Sequence, residues 1–416
     1  MKPRLTAEQK TMVKASTSSL QKKEDLVLLM NQVSTMLYGE NGKNAFDIKH
    51  LTYYANPSLS VNRYLSFEIK KKSGKLRTIN APVAGLKSIL RCLNHIFEAV
   101  LETHSCAYGF VTGRSVADNA SKHIGKQYVY NLDLQDFFHS FDRNRVKMGI
   151  WRSLFLMDKE KEQLAFFLAS LCTHPLSFGD ETRIVLPQGS PVSPVLTNML
   201  CYRLDVRLHG LAKRFKVAYS RYADDITFSG NRNVFRSTEF QQELKRIIED
   251  DQKLFINPGK TRLQKRGYRQ EVTGVIVNEK SNVHRKYVKQ LRSWIYYIEK
   301  YGMAKAEEIF RNDYFRDKGH IKNMANPMMN VITGKLHYLK MVKGENDSVY
   351  LGLKGRLEMV AGNTDDVNRL LDVWEKKGIE AVEDFFKSDR LSKYVDLREM
   401  FDPEEFIPVN KPPIIL

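Results

Sequence analysis

Asp224 and Asp225 stand side by side in Ser220-Arg221-Tyr222-Ala223-Asp224-Asp225-Ile226-Thr227-Phe228-Ser229, a run that otherwise reads as strand, tight turn and strand. Adjacent carboxylates repel one another, and desolvation sharpens the repulsion. A half-buried hairpin that holds both needs a cation, and Mg²⁺ is the hard, oxygen-seeking choice. Asp133 ends a second β-rich run, Val129-Tyr130-Asn131-Leu132-Asp133-Leu134. Three aspartates on two strand ends can hold two Mg²⁺ ions roughly 4 Å apart for in-line phosphoryl transfer. That is the chemistry of a polymerase. In this reading Asp133 and Asp224 bridge the ions and Asp225 is more peripheral. A lone aspartate at a strand end is usually a turn cap, but the pair together with the upstream Asp133-x-x-x-Phe137-Phe138 outweighs that reading.

Other residues suit the same reaction. A ring at Phe138, five residues after Asp133, would pack where a ribose 2′-OH must sit and so favour dNTPs; one of Phe137 and Phe138 must serve the core. The stretch Leu186-Pro187-Gln188-Gly189-Ser190-Pro191-Val192-Ser193-Pro194 is denser in Pro, Gly and Ser than a plain strand–helix turn requires. Gly189 lets backbone approach a ligand, and Gln188 can hydrogen-bond a sugar or base without adding charge. Tyr222, at the head of the aspartate box, is grouped with these substrate contacts. Alternation sets Lys75 and Arg77 on one face of a strand, where cations could grip a triphosphate and steady the leaving pyrophosphate. The alternative there is a solvated basic turn. Lys260, in Asn257-Pro258-Gly259-Lys260-Thr261, is either a general acid for pyrophosphate or a surface lysine. Arg285, Lys286, Lys289 and Arg292 mix with Trp294, Tyr296 and Tyr297, cations for phosphates and rings for stacking on an RNA or hybrid duplex.

The elements that must position these groups follow from periodicity and punctuation. Residues 1–23 read as a loosely held basic arm, and Asp25 to Tyr38 as the first firm helix. Leu65 to Ala81 reads as a hairpin around Lys71-Lys72-Ser73-Gly74-Lys75. Helices are expected over 86–101, 116–126, 143–154, 159–172, 194–212 and 237–251. Strands are expected at 184–186, at 255–260 with a turn, at 263–266 and at 271–278. Residues 281–345 are helical and carry 13 Lys/Arg against 6 Asp/Glu, whereas 346–416 carry 10 against 15. In that acidic tail Val367, Leu370, Leu371 and Trp374 mark one helix, closed by Gly378. Ile379, Val382, Phe385 and Phe386 mark another, and 408–416 is extended.

A chain of 416 residues implies two or three subdomains. The formal net charge of +18 points to nucleic acid. No apolar run is long enough to span a bilayer, and residues 1–23 lack a signal-peptide core. The four cysteines, Cys92, Cys106, Cys172 and Cys201, form no Cys-x-x-Cys pair. They read as buried thiols in a reducing cytoplasm, with neither zinc nor disulfides suggested.

The order Asp133-x-x-Asp136-Phe137-Phe138, then Leu186-Pro187-Gln188-Gly189-Ser190-Pro191, then Tyr222-Ala223-Asp224-Asp225 resembles a reverse transcriptase. More narrowly the chain is similar to the bacterial retron reverse transcriptases, through Asn119-Ala120-Ser121-Lys122-His123 and Val272-Thr273-Gly274. The resemblance covers roughly residues 60–345. It implies an α+β right hand: an N-terminal arm and helices (1–60), fingers (61–128), a palm with an antiparallel sheet (129–280, fingers elements interleaved near 150–195), a basic helical thumb (281–345) and a helical C-terminal extension (346–416). It further implies that the protein binds a noncoding RNA and copies part of it into single-stranded DNA, priming from a guanosine 2′-OH. Asn119 and His123 would help hold that RNA, and Val272, Thr273 and Gly274 would line the primer site. Antiviral defence with a partner effector protein belongs to the same expectation. Two departures stand out. Leu86-Lys87 is followed by Arg91 rather than the family's Gln, and the acidic tail is long. The latter would also fit a related defence-associated enzyme. A mobile-intron enzyme would bring maturase and Cys/His endonuclease signals, and neither appears. A dead polymerase fold that only binds RNA is opposed by the intact aspartates.

Overall fold

The computed structural model describes residues 3–39, 45–70, 74, 76–317 and 327–361. Two compact units divide the chain, one spanning Pro3–Asn282 and one beginning at Val283.

The first unit opens with α1 (Ala7–Ser18), where a loose arm was expected. The correction has a local cause. Thr6 Oγ1 accepts the Gln9 amide and Gln9 Oε1 accepts the Thr6 amide, a capping box that starts the helix. Its buried stripe is only Val13 and Thr17, too sparse to register as periodicity. Then come α2 (Lys23–Tyr38) and α3 (Ile48–Ala55). The strands β1 (Tyr64–Lys70) and β2 (Leu76–Pro82) pair antiparallel, with Phe67 opposite Ile79. Lys75 lies outside the described residues. Helix α4 (Ala84–Val100) buries Leu86, Ile89, Leu90, Leu93, Ile96 and Phe97 along one face and packs on α1 and α2.

After α5 (Val116–Ser121) the chain enters β3 (Tyr128–Asp133). Helices α6 (Arg143–Phe155) and α7 (Glu162–Cys172) pack on each other. The hairpin of β4 (His174–Phe178) and β5 (Glu181–Val185) includes a strand that Pro175 conceals from a propensity reading. The helix expected over 194–212 is two, α8 (Ser193–Leu200) and α9 (Tyr202–Arg214), parted where Cys201 leaves helical geometry at φ −85° and ψ 0°. Strands β6 (Ala218–Tyr222) and β7 (Asp225–Gly230) form the aspartate hairpin. Helix α10 (Thr238–Lys245) runs on as a π turn to Asp251. Finally come β8 (Arg262–Lys265) and the short hairpin β9 (Glu271–Val272) and β10 (Val275–Ile276).

The central sheet has the order β6-β7-β3-β8 and is antiparallel throughout. Aromatic packing secures it. Phe228 of β7 meets Phe240 of α10 edge-on at 5.4 Å, and Tyr130 of β3 stacks on Phe235 at 5.5 Å. Loss of one such buried ring costs about 3–5 kcal/mol.

The second unit contains α11 (Arg285–Asp317), interrupted at Gly302 (φ 75°, ψ 169°), then α12 (Met328–Lys343) and α13 (Ser348–Ala361), mutually packed. Trp294 and Phe310 form its centre, edge to face at 5.0 Å. Glu307 accepts the Met328 amide at 2.8 Å, an anion at the positive start of α12. The helices expected at 367–386 and the extended segment at 408–416 lie outside the described residues.

Candidate active site

Antiparallel register decides where the carboxylates meet. Asp133, the last residue of β3, pairs with Asp225, the first of β7. Tyr222 pairs with Asp225 across the β6–β7 hairpin, so Ala223 and Asp224 are its two-residue loop. Ala223 has φ 58°, a conformation that hairpins of this length normally assign to glycine. Three contacts hold it. The Ala223 carbonyl accepts Arg221 Nη1 at 3.1 Å, the Asp224 carbonyl accepts the Leu134 amide at 3.1 Å, and Gly109 lies against the turn. A Cβ on Gly109 would stand 2.4 Å from the Ala223 nitrogen.

Charge accumulates at this strand end. Burial first, then the charges of Asp224 and Asp133, push Asp225 up to about 6, although one edge of it stays open to solvent. Asp224 is also raised, by burial and then by Asp133. Cations oppose the shift: Lys260 and Arg77 act on Asp224, and Lys260 and Arg262 on Asp225. Lys260 Nζ lies 2.7 Å from Asp133 Oδ1, and Asn257 Nδ2 donates to Asp133 Oδ2 at 3.3 Å. Three crowded carboxylates, all oxygen donors, suit a hard divalent cation. Asp133, Asp224 and Asp225 would hold it.

A buried network behind the hairpin escaped the sequence reading. Arg221 and Asp205 form an ion pair at 2.6 Å with both side chains wholly inaccessible. Burial alone would depress Arg221, yet Asp205 reverses this and raises it. Tyr219 donates to Asp205 at 2.7 Å, Arg221 donates to Asn198 at 3.1 Å, and Asn198 donates to the Gly109 carbonyl at 2.9 Å. One signal was present. Asp205 sits on the apolar face of α9 beside Leu204 and Leu208, where a charge must be paired.

The remaining candidates separate by burial. Phe137 is core, while Phe138 is half-buried on a 3-10 turn with Phe110 at 6.2 Å. Gly189 (φ +121°) is exposed, and its absent Cβ would stand 2.7 Å from the Asn80 carbonyl. The Gln188 carbonyl accepts the Asn80 amide at 2.8 Å, so this turn docks on β2, the strand that carries exposed Arg77. Tyr222 is half-buried.

Asn119 and His123, expected on RNA, are inside. His123 bridges Ser229 and Ser220, both at 2.7 Å, and burial, reinforced by Lys126 and Lys122, lowers it to about 3. Asn119 donates to Thr273 Oγ1 at 3.3 Å. Val272 is core, and Thr273 (φ 46°) and Gly274 (φ 83°) are the turn of the β9–β10 hairpin. Direct RNA contact by His123 or Val272 is therefore corrected to a supporting position, because neither offers surface. In the second unit Arg285, Lys286, Lys289 and Arg292 are exposed along α11. Trp294, expected to stack on nucleic acid, is corrected to core by its packing on Phe310. Tyr296 is exposed. Cys106 is half-buried, unlike the other three cysteines, which corrects the reading of all four as buried.

A family model described as "Reverse transcriptase (RNA-dependent DNA polymerase)" matches residues 69–293. Retron Mx162 reverse transcriptase of Myxococcus xanthus is 36% identical over 258 residues, covering 57% of this chain and 53% of its own. Retron Mx65 reverse transcriptase of the same organism is 34% identical over 258 residues, with 60% and 59% covered. Retron Ec86 reverse transcriptase of Escherichia coli is 32% identical over 241 residues, with 57% and 70% covered. The matched region spans just over half the length of the two Myxococcus relatives. A solved telomerase of Candida albicans aligns with 77% of this chain and 68% of its own at a TM-score of 0.39 and 9% identity, too weak a likeness to carry an argument.

Proposed function

Since this chain belongs to the reverse transcriptase family, in its retron type, we propose that it is an RNA-directed DNA polymerase that copies a structured noncoding RNA into single-stranded cDNA joined to that RNA by a branch. The observation that carries the reading is the register of Asp133 against Asp225 with Asp224 in the adjoining turn. Two Mg²⁺ ions on these carboxylates would supply Lewis-acid charge to the phosphate and the attacking hydroxyl. Arg77, whose charge reaches Asp224, is assigned to the incoming triphosphate. Lys75 shares that assignment from the sequence alone. Lys260, beside Asp133, is assigned to the leaving pyrophosphate as cation or acid. Phe138 would exclude a 2′-OH, and Gln188, Gly189 and Tyr222 would line the nucleotide. Phe138→Ala is expected to raise ribonucleotide incorporation relative to dNTPs, and an unchanged ratio would remove it as the gate.

The exposed cations of α11 are proposed to bind RNA phosphates, which predicts a steep fall of RNA affinity with salt. Asn119, His123 and the Val272–Gly274 hairpin are proposed to support RNA binding within the first unit. Fingers, palm and thumb at the boundaries given above, a bacterial cytoplasmic setting and an effector partner in antiviral defence remain part of the proposal. A reducing setting is in keeping with four cysteines that form no Cys-x-x-Cys pair. No described helix is long and apolar enough to cross a membrane. The test is dNTP incorporation on a primed RNA template with Mg²⁺, parent against Asp224→Ala plus Asp225→Ala. Equal incorporation would overturn the enzyme reading. Sequencing the co-purifying nucleic acid separates a branched RNA–DNA species from long or repetitive cDNA, the mark of a related defence system.

A further inference from the structure

His104, Cys106 and His209 are brought together by the fold. One ligand atom from each, two ring nitrogens and a sulfur, all lie within 4.8 Å of one another, and all three residues are half-buried. His104 and Cys106 come from the loop after α4, and His209 from α9. The rings of His104 and His209 stand edge to face at 5.5 Å. The loop itself is well held. Arg114 donates to the carbonyls of His104 and Ser105, both at 3.2 Å, and to that of Ala107. The Cys106 carbonyl accepts the Arg221 amide at 2.9 Å, and the Tyr108 amide donates to the Arg221 carbonyl at 2.7 Å.

We infer that His104, Cys106 and His209 form a zinc site, separate from the carboxylate cluster. Two imidazoles and a thiolate are borderline-to-soft donors that prefer Zn²⁺ to Mg²⁺. A tetrahedral zinc needs such atoms roughly 3.3–3.6 Å apart, so the trio closes by about an ångström, within reach of side-chain rotation. Three protein ligands leave the fourth position to solvent, in keeping with the partial exposure of the cluster. Coordination by either nitrogen of His104 ends the 3.2 Å bond that its Nδ1 accepts from the Cys106 amide. That is a weak bond to surrender for a metal–thiolate ligand set.

The site has a structural consequence. It ties the 104–106 segment to α9, the helix whose Asp205 holds Arg221. Three residues beyond Cys106, Gly109 abuts the Ala223 nitrogen in the turn that presents Asp224. Zinc at this point would be a positioning element for the catalytic hairpin.

Cobalt(II) replaces zinc in the test, because a cobalt–thiolate bond absorbs in the near ultraviolet. The full chain, untagged and stripped with chelator, is titrated with Co²⁺. About one equivalent is expected to produce the thiolate band and tetrahedral visible bands, and zinc should bleach them. The other cysteines, Cys92, Cys172 and Cys201, are core residues, so Cys106 is the thiol in reach. Cys106→Ser is expected to abolish the band and His209→Ala to weaken zinc binding at least tenfold. Asp224→Asn plus Asp225→Asn should leave both intact, which keeps this result independent of the polymerase reading. Absence of the band in the folded parent, or its persistence in Cys106→Ser, overturns the site, and the parent titration alone decides if a variant fails to fold.

Discussion

Strand β6 has two polar clusters along its path, and they were assembled in opposite ways. At its end, Asp224 and Asp225 are neighbours in the chain, and one register pairing adds Asp133. Beside it, Cys106 pairs with Arg221 through the backbone, while His209 comes from α9, about a hundred residues further along the chain than Cys106. The first cluster offers only carboxylate oxygen, and burial, then neighbouring carboxylates, raise the proton affinity of Asp224 and Asp225. The second offers nitrogen and sulfur and lies on a loop pinned by Arg114. On ligand hardness, the proposed Mg²⁺ suits the first cluster and the proposed Zn²⁺ the second. The buried Arg221–Asp205 pair joins β6, which leads to the first cluster, to α9, which carries His209 of the second.

Substitutions can break this division or sharpen it. Asp224→Asn should lower polymerisation by about 10³-fold or more, since it removes a metal ligand at the centre of phosphoryl transfer, while leaving cobalt–thiolate absorption unchanged. Joint loss of both signals in single-nucleotide incorporation and spectroscopy would mean that the clusters are one site. Asp205→Ala leaves the buried Arg221 without its counter-ion and should cost about 3–5 kcal/mol in urea unfolding. A cost near zero would remove the pair as the shared support. Gly109→Ala drives a methyl into the Ala223 backbone and should cost about 1–3 kcal/mol, with incorporation reduced and zinc content preserved. Unaltered kinetics would show that the loop does not position the turn.

The smallest effect concerns His123. Its folded value of about 3 lies below that of a free imidazole, so the unfolded chain takes up the proton first. Stability is then full above about 6.5 and falls by up to about 1.4 kcal/mol per pH unit toward 3. Asp225, raised to about 6, titrates with the opposite sign. Asp224 is raised as well and His174 is lowered to about 4, so the slope between pH 7 and pH 5.5 should be compared by urea unfolding in Asp225→Asn with and without His123→Gln. Equal slopes would contradict neutral burial of His123.

What was legible in the chain was whatever adjacency or short spacing encodes. Asp224-Asp225 declared itself locally, as did the Gly189 turn and the apolar face of α4. Phe137 and Phe138 were known to differ, yet only packing showed which one is core. Trp294 was misjudged because an aromatic ring beside cations looks the same whether it faces solvent or the interior, and the burial of His123, a residue read from the family resemblance, left no local trace. Helix α1 was missed because two reciprocal hydrogen bonds, not a hydrophobic stripe, start it.

Sequence alone supplied the proposed reaction chemistry, because carboxylates, a glycine turn and their order along the chain are properties of composition and spacing. Tertiary structure decided which distant groups share a few ångströms, Asp205 with Arg221 and His104 with Cys106 and His209. Such meetings depend on how helices dock on a sheet, and pairing across a hundred residues leaves no periodic trace in any one segment.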